Sequence, residues 1–400
     1  MQIASAGSTL TDPRAAIDQA CADLSRQLGA TPTIIFAHFS IQYAAAGLWE
    51  AIRRHFPACR VHGASSCRGV MTEQGIFGEE DRGLALLGLL DPDGAYGVAI
   101  GSATENPRQQ AATLLRQAIA AAERPGEVPD LVRLAATPGR EEEILLGIED
   151  ILGPNVPIIG GTAADNEIKG GWEIMADGGC QSEGLALAVL YPSTPLYFSF
   201  HNGYRPTEQR GTVTRAAGRT IYQIDHRPAA EVYNHWTGGL IQQQLAAGGV
   251  VLEATTLFPL GREVGQIGGV PYFNLAHPER VTAEGGLTTF ADIAVGEELH
   301  QMIGTSESLI TRGGRVAEAA LEAGRLQPRQ ISGALVTYCA GCMLTVFPRL
   351  EEVRNSLDQA LGGRPFLGNF TFGEQGCFTG GENRHGNLMI SVIVFSGAKP

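Results

Sequence analysis

PIIGGTAADN, residues 157–166, is the stretch on which the fold turns, because the chain carries something close to it three times. RVHGASSC (60–67) and PFLGNFTFGEQG (365–376) have the same apolar run passing through glycine into small polar residues. Each is preceded by another apolar run: TIIFAHFS (33–40), DLVRLAAT (130–137) and GALVTYCA (333–340). Each is followed by a third: GLALLGLL (83–90), GLALAVLY (184–191) and GNLMISVIVF (386–395). With Gly63, Gly160 and Gly368 aligned, Leu48, Leu145 and Val353 all fall fifteen residues earlier. Ile52 and Phe56 then match Leu357 and Leu361, and one extra residue brings Ile148 and Leu152 into line. Apolar residues four apart mark a helix packed on a sheet. A repeat of this length sets the architecture before any motif is read.

Ala-rich amphipathic helices at residues 14–28 and 108–123, and a similar one from Gly314 to Ala323, precede the three copies. The expected fold is therefore α/β, built from repeated helix-strand-helix-strand-strand units forming mixed sheets. A strand-helix-strand crossover makes the first two strands parallel, and the last strand is expected antiparallel. Two tightly packed domains follow. Residues 1–195 hold two copies; residues 196–400 hold a strand-rich insert, 196–312, and the third copy. Within the insert, Pro228 to Trp236 reads as a helix with proline in its first turn.

Composition excludes several function classes. A net charge of −13 argues against nucleic acid or an anionic membrane as main partner. No apolar run is long enough to span a bilayer, and the first residues lack a basic segment followed by an apolar one. Seven scattered cysteines do not form a secreted disulfide framework. A cytoplasmic location is the resulting expectation, with a homo-oligomer compatible with it. No GxGxxG after a strand, no GxxxxGK[ST], no GxSxG and no HExxH occurs, so no enzyme is expected.

Four segments in order resemble the FIST proteins, sensory modules with an N-terminal and a C-terminal FIST domain. They are PIIGGTAADN, then FHNGYRPTEQRGTVTRAAGRTIYQIDHRPAAEVY (200–233), VPYFNLAHPERV (270–281) and FLGNFTFGEQG (366–376), with Cys339-Ala340-Gly341 as a further match. The resemblance implies intracellular signal transduction by small-ligand binding. PAAEVYNHWTGG and the run around LFPLG and GGLTTFAD are similar to the NosP branch. That branch binds haem, senses nitric oxide and informs a partner histidine kinase in a two-component system.

The resemblance to that branch directs attention to the axial ligand of a non-covalently held haem b, usually an imidazole in an apolar pocket. Of nine histidines, His235 and His277 rank equally, with His201 and His38 behind them. The alternative is a non-haem sensor of an amino acid or similar metabolite. Its ligand surface would be the loops after the middle strands, with Gly160, Gly161 and Thr162 allowing close backbone approach and Asp165 and Glu374 gripping an amine. Cys339 and Cys342 have CxxC spacing, and Cys377 follows the next strand of the same copy. Together they are candidates for zinc or a disulfide switch, against the plainer reading of three inert buried thiols.

Overall fold

The computed structural model describes residues 1–267 and 269–397. It is a mixed α/β protein whose chain forms three like units, with a fourth sheet inserted into the last unit. In unit one, strand Ile34–Phe39 runs parallel to Arg60–Ser65 across helix Ala45–His55, and Leu84–Leu90 pairs antiparallel with Ile34–Phe39. Unit two repeats this with Leu131–Ala136, Ile158–Thr162 and Gly184–Tyr191, and unit three with Ile331–Cys339, Phe366–Thr371 and Met389–Ser396. The expected parallel and antiparallel relations are therefore both present.

The unit is longer than the repeat predicts. Each begins with a further strand, Gln2–Ser8, Ala95–Ser102 or Leu196–Asn202, paired antiparallel with the unit's last strand. Leu196–Asn202 thus belongs to unit three, and so does helix Ser306–Ala323, which packs on helix Leu350–Leu361. The insert narrows from the expected 196–312 to the sheet between Arg205 and Ile303.

A cyclic exchange of hairpins joins the units. The short hairpin Val70–Thr72/Gly75–Phe77 of unit one extends the sheet of unit three. Ile174–Ala176/Gly179–Gln181 of unit two extends the sheet of unit one. Glu374–Phe378/Glu382–Gly386 of unit three extends the sheet of unit two. Two of these exchanges cross residue 195, so residues 1–195 do not close their own sheets.

The central strands of the three unit sheets are buried on both faces. Helices cover the outside, as Ile17, Leu24 and Ile52 do in unit one, while the inner faces meet in a common core containing Phe36, Leu87, Leu131, Ile159, Leu335 and Phe395. This is why the last strands read as unbroken apolar runs and all eight residues of Gly184–Tyr191 are buried. The aligned glycines have a packing reason in the first two units. A Cβ on Gly63 would meet the carbonyl oxygen of Ala37, and one on Gly160 that of Leu134, on the adjoining parallel strand.

Candidate functional site

The middle strands of all three units end at one place. Three inter-unit backbone bonds make a ring there: Cys67 N–H to Phe370 O (3.0 Å), Phe372 N–H to Thr162 O (3.1 Å) and Ala164 N–H to Ser65 O (3.2 Å). The inserted sheet adjoins the same place, and between it and the units lies a cleft of about 720 Å³. Its walls are largely apolar: Trp172, Leu252, Phe290, Ala340, Leu344 and Phe372, with Cys67 and Cys339. The polar groups include His277, Thr256, Asn387, Arg219 and three carboxylates, Glu141, Glu167 and Glu253. An apolar concavity with a few placed polar groups is the usual form of a small-ligand site.

His277 is 3% exposed. Its Nε2–H donates to Leu252 O at 3.0 Å, which fixes the tautomer and leaves Nδ1 with the lone pair. Its backbone N–H donates to Asn387 Oδ1 at 3.1 Å. Burial pushes the imidazole pKa down to about 4, partly opposed by the bond to Leu252, so the ring is neutral at pH 7. The other histidine candidates lie elsewhere. His235 is exposed in the last turn of helix Ala229–Trp236 and does not line the cleft. His38 is sealed in the common core, and Nδ1 of His201 accepts the Asn202 N–H at 2.8 Å.

The loop residues singled out in the sequence lie under the cleft rather than in its wall. Gly160 and Gly161 are strand residues, the second packed on Thr371 and Thr337. Thr162 is buried; its hydroxyl donates to Glu141 at 2.9 Å and accepts from Gln375 at 3.0 Å. Asp165 accepts the backbone N–H groups of Glu167 (2.9 Å), Lys169 (2.7 Å) and Gly171 (2.9 Å), and that of Ile168. Its burial favours the neutral form, but the four N–H donors outweigh it and hold the carboxyl below its ordinary pKa. The loop so fixed puts Asn166, Glu167 and Ile168 on the cleft wall, with Ile168 at φ 57°, which β-branched residues avoid. Glu374 is fully buried, accepting from Thr371 Oγ1 at 2.6 Å and Met389 N–H at 3.0 Å. Burial, then the neighbouring Cys339, raise its pKa well above its ordinary value.

Asp165→Ala is expected to cost about 2 kcal/mol at pH 7, since bonds to a charged acceptor are the strong ones. Because the folded pKa is depressed, this stabilisation is present above the unfolded value and lost as pH falls through the folded one. Urea midpoints of variant and wild type should therefore converge in acid.

Cys339 and Cys342 are brought together at the start of the same short helix, with Tyr204 Oη 3.6 Å from Cys342 Sγ, and Cys339 lines the cleft. Cys377 does not join them. It lies on the hairpin that has crossed to unit two, where its charged neighbours are Glu149 and Glu382. The three thiols therefore do not form one ligand set. Burial, then Cys342, raise the Cys339 thiol well above its ordinary pKa, and burial pushes Cys67 up to about 12.

Sequence reasoning missed a charged cluster at the cleft edge. Glu141, Glu142 and His385 present ligand atoms within 4.8 Å of one another. Arg219, reaching from the insert, occupies the cation position between the carboxylates, donating to Glu141 at 2.6 Å and Glu142 at 2.9 Å. The run Glu141-Glu142-Glu143 at a helix start was the only readable sign of it.

This repeated α/β frame with a cleft at its convergence has the organisation of a ligand-binding sensory module. The FIST N domain model matches residues 33–227 and the FIST C domain model residues 229–377, and the chain belongs to the FIST family. FIST domains are sensory modules of signal transduction that bind small ligands. The uncharacterized protein MJ1623 of Methanocaldococcus jannaschii is 33% identical over 95 residues, 23% of this chain and 18% of that protein. Among solved structures, a cyanuric acid hydrolase from A. caulinodans aligns over 99% of both chains at 11% identity and a TM-score of 0.40. T. maritima PurL complexed with ADP aligns over all of this chain and 73% of its own at 12% identity and a TM-score of 0.23. Among the described residues no helix is long and apolar enough to cross a membrane.

Proposed function

We propose that this FIST protein is a cytoplasmic haem-binding sensor of nitric oxide that regulates a partner histidine kinase, with the cleft as its ligand site. The observation carrying the reading is His277: a neutral imidazole in an apolar cleft, its far nitrogen anchored on the Leu252 carbonyl. Anchoring one ring nitrogen orients the other as a metal ligand. In a haem b held without covalent bonds, His277 would hold the iron, and Trp172, Phe290 and Phe372 would be among the apolar walls. When bound, haem iron supplies an open position for a gas. The chain's own part is to orient the imidazole and exclude water. Displacement of His277 would be felt through Leu252 and Asn387, which it contacts at 3.0 and 3.1 Å. A ligand shifts such a protein only by binding its two conformations unequally.

One observation favours the metabolite reading instead. The guanidinium in the cleft lining, Arg219, is already paired with Glu141 and Glu142, while Glu253 at the mouth is exposed. That balance suits an amine-bearing ligand better than haem carboxylates.

Expression with haem supply separates the two. The expected product has a stoichiometric Soret band that shifts with nitric oxide, is lost in His277→Ala and persists in His235→Ala. A colourless protein that takes up no haem rules the haem assignment out and leaves the amine-bearing metabolite.

A further inference from the structure

Beneath the ring of inter-unit bonds, the common core contains a guanidinium. Arg133, on strand Leu131–Ala136 of unit two, is 2% exposed. Its Nη1 donates to Thr337 Oγ1 of unit three at 3.0 Å, and its Nε has no partner. Two histidines of unit one stand close enough for Arg133 to depress their protonation. His38 Nδ1 lies 3.1 Å from Ala64 O and His62 Nε2 3.3 Å from Ala186 O, while the second ring nitrogen of each is unpartnered. Unit three adds Asn369 and Ser391, which flank Thr337 in register on either side. Asn369 Oδ1 and Ser391 Oγ are unpartnered too. The ring nitrogen facing each carbonyl must be the donor, so the unpartnered His38 Nε2 and His62 Nδ1 are lone-pair acceptors that an anion does not satisfy. The buried donors left without a partner are Arg133 Nε, from unit two, and the Ser391 hydroxyl, from unit three.

Such atoms are rare in native cores, and each calls for a partner. A guanidinium does not escape its burial by losing its proton at neutral pH. Burial lowers the Arg133 pKa only to about 10, and no carboxylate pushes back. Among the described residues no carboxylate is within ion-pair distance of Arg133. The histidines cannot supply the missing negative charge; burial and then Arg133 hold them neutral, with pKa values near 3. Water would satisfy hydrogen bonds but would leave the charge uncompensated, which is the costly condition.

We propose that this core holds a small monovalent inorganic anion, of chloride size. It accepts hydrogen bonds from the Arg133 guanidinium and the Ser391 hydroxyl, and from the Asn369 amide once its oxygen and nitrogen are exchanged, an orientation set by the network rather than observed. The anion joins residues of units two and three, so it stabilises the assembled core. This assignment is independent of what occupies the cleft.

Thermal unfolding of the full chain at constant ionic strength, with chloride or bromide replacing gluconate, tests it. The expected result is a saturating rise in Tm of about 2 °C or more with the small anions, as for any ligand that binds only the folded state. Arg133→Met should be insensitive to the replacement. Bromide-soaked crystals of the wild type should show an anomalous peak beside Arg133, which decides the matter even if the variant does not fold. Equal Tm in gluconate and chloride, or no anomalous peak at Arg133, overturns the proposal.

Discussion

Gly160→Ala is expected to cost about 3 kcal/mol or more, the upper end of what overpacking a core does. The added methyl would meet the Leu134 carbonyl oxygen, which is backbone and cannot rotate aside. Leu134 and Gly160 are paired across the two parallel strands of unit two. Relief therefore requires those strands to separate, and Ile158–Thr162 also carries the hairpin Glu374–Phe378 from unit three. Gly47→Ala is the control. It lies in helix Ala45–His55 with open space around its Cβ position. Alanine there should stabilise by about 0.5–1 kcal/mol, the helix-propensity difference. Urea unfolding of the two variants should move in opposite directions; a Gly160→Ala protein as stable as wild type contradicts the assigned strand pairing.

Arg219→Ala is the second large effect. It removes the cation from Glu141, whose side chain is 2% exposed. Breaking a buried pair from one side costs about 3–5 kcal/mol, because the remaining charge is left uncompensated. In the intact protein burial works against ionisation of Glu141, but attraction to His385 and Arg219 outweighs it and the pKa is lowered. A depressed folded pKa means stability present above the unfolded value, near 4.5, and lost as pH falls through the folded one. Without Arg219 part of that attraction is gone and burial weighs more heavily. The deficit should therefore be largest at neutral pH and shrink in acid, as Glu141 takes up a proton. Glu141→Gln added to Arg219→Ala should recover part of the loss, giving a non-additive cycle. A deficit independent of pH would assign the effect to lost packing of the arginine stem.

These two sites mark how far the sequence could be read. The alternation of helices and apolar strands, and the glycine within each middle strand, were legible because burial on both faces demands continuous apolar runs. The opening strands were not. Gln2–Ser8 is QIASAGS, small and half polar, and its partner Leu84–Leu90 lies far along the chain. The hairpin exchange was invisible for a similar reason: strands of three residues such as Val70–Thr72 carry no period. That exchange also explains the cysteines. Glu374, the first residue of the crossed strand, still has Cys339 beside it, but Cys377, three residues further along that strand in unit two's sheet, has Glu149 and Glu382 as its charged neighbours instead. His277 was found through a family resemblance and its apolar strand. The Glu141–Arg219–His385 cluster joins three distant segments, and no spacing in the chain announces it.

If ligand is held where the three units and the insert converge, hydrogen exchange of the full chain with and without haemin should report it there. Protection is predicted in residues 165–172, 252–256 and 339–345, which belong to unit two, the insert and unit three and line one cleft. Protection confined to helix Ala229–Trp236 around His235, or none in these three segments, would contradict it.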